Sequence, residues 1–150
     1  MILPLRLWPD PVLSQVCGAV PVDAAALSLA EDMLQTMYAA YGRGLAAPQV
    51  GVLARVFVMD SSWKTGEKTP EIFLNPEVLW SSPETQPSTE GCLSIPGQDV
   101  TVTRSQAIIL RWTMPDGAIA AQKLTGFRAI CAQHEIDHLN GIVTLNRAPT

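Results

Sequence analysis

The apolar positions that follow Asp23 recur at the spacing of an α-helix. The stripe steps by three and four residues and consists of Leu27, Ala30, Leu34, Met37 and Tyr41. Such spacing places every member on one face of a helix and indicates burial in a core. Because Asp23 is a favourable N-cap residue, the pattern predicts a helix from Asp23 to about Ala40.

Shorter apolar segments in the middle of the chain predict β-strands. They span residues 55–60, 71–80, 100–104, 107–113 and 118–124. The last two flank Met114-Pro115-Asp116-Gly117, a turn sequence, and are therefore predicted to form a hairpin. Two polar segments, residues 61–70 and 81–88, are predicted to be loops.

A second helix is predicted over residues 126–140, with Gly141 ending it. It carries H-E-I-D-H at residues 134–138, which includes both histidines of the chain. Residues four apart share one helix face, so His134 and His138 can converge on one metal ion, with Glu135 beside its open coordination position. The elements together predict an α+β fold, with short antiparallel β-sheets packed around a metal-binding C-terminal helix and one N-terminal helix.

A catalytic site of this kind usually has three protein ligands, so a third donor is required. The tail after His138 contains no His, Asp or Glu, so the donor lies upstream and is a thiolate or a carboxylate. Cys131 lies about 7.5 Å along the helix axis from the expected ion, which is too far for a cysteine ligand. Cys17 has no polar neighbours in the sequence, so Cys92 is the predicted third ligand.

Residues 42–51, G-R-G-L-A-A-P-Q-V-G, form a segment with little side-chain bulk. It permits close approach of another backbone or a substrate, although a helix cap followed by a turn has a similar composition. Gln49 adds chemistry, because a neutral amide donor beside a metal can hold a developing oxyanion.

Three motifs, in this order, resemble those of the peptide deformylases. Members of that family carry G-x-G-x-A-A-x-Q, E-G-C-L-S and Q-H-E-x-D-H-x-x-G, which correspond here to residues 42–49, 90–94 and 133–141. The P-D-P-V-L at residues 9–13 also resembles the start of the family. The resemblance implies one domain over residues 1–150 and metal-dependent removal of formyl groups from N-formylated peptides or nascent chains.

The resemblance also implies roles for individual residues. The metal ligands would be Cys92, His134 and His138, and the ion would be Fe²⁺, although such a donor set also accepts Zn²⁺, Ni²⁺ or Co²⁺. Glu135 would transfer protons, while the Gln49 side chain and the Leu93 backbone N–H would hold the oxyanion. The implied substrate-binding residues are Gly42, Arg43, Gly44, Phe127, Ile130 and Cys131. A pair between Glu90 and Arg104 would brace the cysteine segment.

Two positions depart from the family pattern on the substrate side. Arg43 stands where relatives usually have an aliphatic residue, and Asp99 where many have an arginine. They leave a second function class open, a deformylase-like protein that acts on other formyl or acyl amides or only binds a peptide terminus. Retention of Glu135 and Gln49 favours the deformylase. The chain ends without the basic helix that docks many bacterial relatives on the ribosome, which predicts low ribosome affinity.

Composition restricts the other function classes. The formal charge of −4, the pI near 5.0 and the lack of a Lys/Arg block argue against direct nucleic-acid binding. No apolar segment approaches the roughly 18 residues of a membrane span, and the start lacks a secretion signal. With one of the three cysteines used as a ligand, a reducing cytoplasm is the expected location.

Overall fold

A computed structural model describes residues 1–148 and confirms the predicted α+β class. Within these residues the helices are α1 (Ala24–Ala39), α2 (Gly126–Leu139) and the short α3 (Thr144–Arg147). The strands are β1 (Gly44–Ala46), β2 (Val56–Met59), β3 (Glu71–Ser81), β4 (Thr85–Cys92), β5 (Ile95–Ser105), β6 (Ala107–Thr113) and β7 (Ile119–Thr125). No helix in the described part of the chain has the length and apolarity to cross a membrane.

The strands form two antiparallel sheets, and α2 contacts both of them. The larger sheet has the order β1-β2-β3-β6-β7, and the smaller one pairs β4 with β5. The predicted β6–β7 hairpin is confirmed, with Ala107 opposite Thr125 and Thr113 opposite Ile119. Helix α2 packs on β1, β2, β6 and β7 on one side and reaches β5 on the other. The metal-ligand motif therefore lies between the sheets.

Helix α1 begins as predicted, with the Asp23 side chain accepting a hydrogen bond from the backbone N–H of Ala26 at 2.9 Å. Three residues of the predicted stripe, Ala30, Leu34 and Met37, are buried against the large sheet. Met33, which is not in the stripe, is buried with them. The prediction for Tyr41 is wrong, because its side chain is 73% exposed. The helix has already ended at Ala39, and Tyr41 adopts a φ of 59° that turns the chain away.

The prediction of a loop over residues 81–88 is wrong in its second half. Strand β4 begins at Thr85 and pairs with β5 from Thr85 opposite Ser105 to Cys92 opposite Ile95. Its side chains are mostly polar and exposed, so its sequence lacks the apolar alternation that indicates a strand. Strand β5 also begins earlier than predicted. This pairing places Cys92 at the end of β4, beside α2.

The core beneath α2 holds that helix against the large sheet. The rings of Phe57 and Phe73 stack with centroids 4.4 Å apart, and Trp112 packs against Phe73 at 4.8 Å. From α2, the buried residues of this core are Ala129, Cys131, Ala132, Ile136 and Leu139. From the same helix, His134 and His138 approach Cys92 at the end of β4 in the small sheet.

Candidate metal centre and active-site cleft

Cys92, His134 and His138 come together between β4 and α2. One donor atom from each side chain lies within 4.8 Å of the other two. The closest recorded approach is 3.4 Å, from Cys92 Sγ to His138 Nε2. Donors about 2.0–2.3 Å from one ion in tetrahedral geometry are about 3.5 Å apart, so the three atoms have the spacing that one divalent ion requires.

Glu90 sets the orientation of the His134 ring. Its Oε1 lies 2.8 Å from His134 Nδ1, and Arg104 donates to both of its oxygens at 2.9 and 2.8 Å. Burial opposes ionisation, but hydrogen bonds from Arg104 and His134 outweigh it and lower the pKa of Glu90 to about 2. The ionised carboxylate can only accept, so Nδ1 carries the proton, and in the neutral ring Nε2 is left available to a metal ion. The Glu90–Arg104 pair expected from the resemblance is therefore present.

The surroundings of His134 favour a positive charge. Burial disfavours its imidazolium, but Glu135, Cys92 and Glu90 outweigh burial and raise the pKa of His134 to about 10. Burial and the charge on His134 instead depress the pKa of His138 well below its ordinary value. Metal binding replaces such a proton, so the same anionic environment that stabilises an imidazolium also suits a divalent ion.

Two buried polar atoms have no hydrogen-bond partner among residues 1–148. They are Oε1 of Glu135 and Nδ1 of His138. An unpaired buried polar atom is costly and usually marks a functional group or a partner outside the protein. The unpaired Glu135 oxygen fits a site that binds water or a substrate, whereas His138 Nδ1 is not the ring nitrogen that faces Cys92 and gives no such indication.

Glu135 is buried directly beside β1. Its Oε2 occupies the space where Gly44 lacks a side chain, since a Cβ at position 44 would lie 2.5 Å from it. Burial raises the pKa of Glu135 to about 7, although the charge on His134 opposes this shift. A carboxyl group that titrates near neutral pH is suited to accept and return a proton.

Gln49 is held in a 3₁₀ helix, Ala47–Val50, that follows β1. Its Oε1 accepts a hydrogen bond from the Ala46 N–H at 3.0 Å, and its Nε2 donates to Ser94 Oγ at 3.1 Å. Nε2 also lies 3.6 Å from Cys92 Sγ. These contacts define which end of the amide is the donor and direct it toward Cys92. Ser94 was not among the predicted site residues.

An open cleft of about 680 Å³ runs along this site. The predicted residues that line it are Arg43, Gly44, Gln49, Cys92, Leu93, Phe127, Ile130, Cys131, His134 and Glu135. Gly42 does not line the cleft. It is buried behind the wall, where its carbonyl accepts a hydrogen bond from Trp63 Nε1 at 3.0 Å. A Cβ there would lie 2.7 Å from Leu93 Cδ1, so Gly42 supports the wall through close packing.

The rim of the cleft carries opposite charges. The Arg43 guanidinium lies 4.1 Å from the centroid of the Phe127 ring, a cation–π distance, and Lys64 also lines the cleft. Asp99 lies on the opposite side, beside Gly91. Arg43 and Asp99 were expected at this rim, whereas Lys64 comes from a loop that the sequence did not connect with the site.

Comparison with known proteins decides the family. The sequence profile described as polypeptide deformylase matches residues 2–150. The chain belongs to this family. Deformylases are metal-dependent hydrolases, and this chain has the Cys/His/His cluster that such an enzyme requires.

Individual deformylases match almost the entire chain. The peptide deformylase of Rhizobium meliloti is 47% identical over 97% of this chain and 84% of its own length. The crystal structure of the Thermotoga maritima enzyme aligns with a TM-score of 0.93 and 38% identity, covering 100% of this chain and 99% of that one. A Met-Ala-Ser-bound deformylase from Acinetobacter baumannii aligns at 0.90 and 30% identity, covering 98% of each chain.

This deformylase also contains charged residues near the site that sequence reasoning missed. Asp137 accepts from Arg104 Nη1 at 2.6 Å and from Arg147 Nε and Nη2 at 2.6 and 2.9 Å. Asp137 is buried, and a buried carboxylate needs partners, so its place inside the helix motif was an available signal. Nothing in the sequence indicated that Arg147 would return to it from α3.

Proposed function

We propose that this chain removes the formyl group from N-formylmethionyl peptide termini and releases formate. The observation that carries the proposal is that Cys92, His134, Glu135 and Gln49 line one cleft, with His138 completing the donor cluster beside it. The bound Met-Ala-Ser of the Acinetobacter enzyme supports the proposed substrate class, because this peptide is the deformylated form of formyl-Met-Ala-Ser.

Cys92, His134 and His138 would hold the ion, with the thiol deprotonated and both imidazoles neutral. When bound, a divalent ion supplies Lewis acidity, which lowers the pKa of water and polarises a carbonyl group. In the neutral His134 ring, Glu90 holds the proton on Nδ1, so Nε2 is the nitrogen left to face the ion. We propose Fe²⁺ as the native ion, as the family resemblance implies.

Glu135 moves the proton. Water adds to the formyl carbon, and the Glu135 carboxylate accepts the proton that this water loses. The protonated carboxyl then donates it to the amide nitrogen as the carbon–nitrogen bond breaks, which yields a free amine and formic acid, and the acid ionises to formate. Burial of Glu135 and a pKa of about 7 let the same group act first as base and then as acid near neutral pH.

Gln49 and Leu93 hold the negative charge that develops on the formyl oxygen. The Gln49 amide is already oriented by Ala46 and Ser94, so little reorganisation is needed during the reaction. Leu93 is the first residue of the turn that joins Cys92 to β5, and its backbone N–H would be the second donor. Both residues line the cleft.

The peptide would lie along β1, the edge strand of the larger sheet. An edge strand offers backbone donors and acceptors to an extended peptide. Phe127, Ile130 and Cys131 line an apolar section of the cleft wall, which suits the methionine side chain. The charged rim, Arg43, Lys64 and Asp99, would then face the residues that follow the methionine.

The experiment measures formate released from formyl-Met-Ala by protein loaded anaerobically with Fe²⁺. Wild type should turn over the peptide, metal-free protein should not, and Glu135→Gln should bind metal but lose at least about 10²-fold in turnover. The matched control is Glu31→Gln, the same substitution at an exposed position of α1, which should leave turnover unchanged. Absence of formate from loaded wild type, or full activity of Glu135→Gln, would contradict the proposal.

A further inference from the structure

Four charged side chains form a continuous row from α3 to the candidate ligand His134. Arg147 donates to both oxygens of Asp137, at 2.6 Å from Nε and 2.9 Å from Nη2. Arg104 Nη1 donates to Asp137 Oδ2 at 2.6 Å, and its other nitrogens bind Glu90 at 2.9 and 2.8 Å. Glu90 then contacts His134 Nδ1 at 2.8 Å.

The inner part of this row is buried, and Arg147 closes it on the solvent side. Side-chain exposure is 3% for Arg104, 7% for Glu90 and 12% for Asp137, against 42% for Arg147. Glu90 has both Arg104 and His134 as partners, whereas the charged partners of Asp137 are Arg104 and Arg147. Removing one partner from a buried ionic group leaves an uncompensated charge, which the remaining partners must then satisfy.

Arg104 is the residue on which this imbalance would fall. It divides its donors between Asp137 and Glu90, and Asp137 Oδ2 receives one hydrogen bond from Arg104 and one from Arg147. Without Arg147, Asp137 would depend on Arg104 alone and draw it away from Glu90. A weaker hold on Glu90 means a less well defined ring orientation for His134, and groups that orient a metal ligand are known to affect metal affinity.

We infer that Arg147 is a positioning residue for the metal centre, acting through Asp137, Arg104 and Glu90 on His134. The inference rests on the proposed role of His134 as a ligand. Neither the H-E-I-D-H motif nor the cysteine segment contains Arg147, and it does not line the cleft. Its effect should therefore appear in metal binding rather than in peptide contacts.

The test compares Arg147→Gln and Arg147→Lys with Arg128→Gln. Arg128, on α2, is the matched control. Like Arg147 it forms a partly exposed ion pair, with Glu71 at 2.6 Å, but within the described residues it does not contact the four-residue row. Zn²⁺ affinity is measured by competition with a chelator, and the visible absorption of the Co²⁺-loaded proteins reports ligand geometry. Both are recorded well below the unfolding midpoint of each metal-free variant.

Arg147→Gln should weaken Zn²⁺ binding by at least about fivefold, somewhat less than the 10- to 100-fold typical of groups that hold a ligand directly, and should alter the Co²⁺ spectrum. Arg147→Lys should recover part of the loss, and Arg128→Gln should leave both readouts unchanged. If Arg147→Gln lowers the unfolding midpoint but leaves Zn²⁺ affinity and the Co²⁺ spectrum unchanged, the role of Arg147 is structural and the inference is overturned. If Arg147→Gln does not fold, Arg147→Lys is judged by the same two readouts. These readouts need no peptide, so an inactive wild type would contradict the proposed function without affecting this result.

Discussion

The missing side chain of Gly44 makes room for the carboxylate of Glu135. A Cβ at position 44 would lie 2.5 Å from Glu135 Oε2 and 2.7 Å from Cys131 Sγ, closer than non-bonded atoms approach. The glycine of the edge strand and the carboxylate of the helix are 91 residues apart in the sequence but share one position in space. Glycine is required here because any side chain would occupy the space of the Glu135 carboxylate.

Gly44→Ala should therefore reduce turnover while leaving the metal bound. The methyl group would displace the Glu135 carboxylate, and a shift of about 1 Å in a catalytic group can cost on the order of 10²-fold. Formate release and metal content are measured together. Gly18→Ala is the control, because a Cβ at that position meets no atom within 4 Å. Equal activity of Gly44→Ala and wild type would show that Glu135 does not need this space.

Gln49→Ala should lower kcat by on the order of 10²–10³, the scale for loss of one oxyanion donor. The comparison is Ser94→Ala, which removes the acceptor of the Gln49 amide at 3.1 Å but keeps the donor itself. Ser94→Ala should retain most of the activity. Similar losses in both variants would mean that Gln49 acts by holding the turn after Cys92, and that the oxyanion assignment is wrong.

Local sequence signals predicted the elements that depend on neighbouring residues. The bounds of α1 and α2 and the β6–β7 hairpin follow from a cap residue, a helical stripe and a Pro-Asp-Gly turn. Strand β4 was missed because its polar residues become a strand only by pairing with β5. Tyr41 was misassigned because the apolar spacing continues past the point where the helix ends.

The candidate site also divides into residues that local sequence signals predicted and contacts that depend on how the chain folds. The three residues of the donor cluster could be chosen from the sequence because the chain has only two histidines and helix geometry excluded Cys131. The contact of Arg147 with Asp137 could not, because it depends on how α3 folds back after Gly141. Similarly, Lys64 reaches the cleft through the packing of the 61–70 loop, in which Trp63 binds the Gly42 carbonyl.

Asp60 should stabilise the fold in a pH-dependent way. It is fully buried and accepts hydrogen bonds from Tyr38 and from the backbone of Ser62 and Thr69. Burial opposes its ionisation, but these hydrogen bonds prevail and hold the pKa of Asp60 below its ordinary value. A depressed pKa means that the carboxylate stabilises the protein above the unfolded-state value of about 3.9, and that this contribution disappears as the pH falls through the folded-state value.

Asp60→Asn should therefore lower the free energy of unfolding at pH 7 by about 1–3 kcal/mol, the scale for hydrogen bonds to a charged group. The difference from wild type should shrink as the pH falls below about 4. Urea unfolding of the metal-free proteins at several pH values measures both effects, with Asp116→Asn in an exposed turn as the control. A difference that does not depend on pH would contradict the role of the ionised form.

Arg43→Ile should alter the preference among formyl-peptides. An acidic residue near the formyl end could pair with Arg43, and an exposed pair contributes about 0–1 kcal/mol, so the preference should be at most about fivefold and should weaken with salt. The measurement is kcat/KM for neutral, acidic and basic formyl-peptides at two salt concentrations. Lys68→Gln is the control, because Lys68 also stacks on an aromatic ring, Tyr38, but does not line the cleft. If Arg43→Ile has the same peptide preference and salt response as wild type, the Arg43 guanidinium is only a surface charge packed on Phe127 and the prediction is wrong.

The most direct test of the metal centre uses the two cysteines nearest to it. Cys92 belongs to the three-donor cluster, whereas Cys131 is buried on the same helix as the histidines and its Sγ contacts the Arg43 carbonyl at 3.8 Å. Metal content by elemental analysis and formate release from formyl-Met-Ala are measured on Cys92→Ala and Cys131→Ala. We expect Cys92→Ala to lose stoichiometric metal and activity together, and Cys131→Ala to keep a full equivalent of metal. Metal retained by Cys92→Ala, or lost from a folded Cys131→Ala, would contradict the assignment.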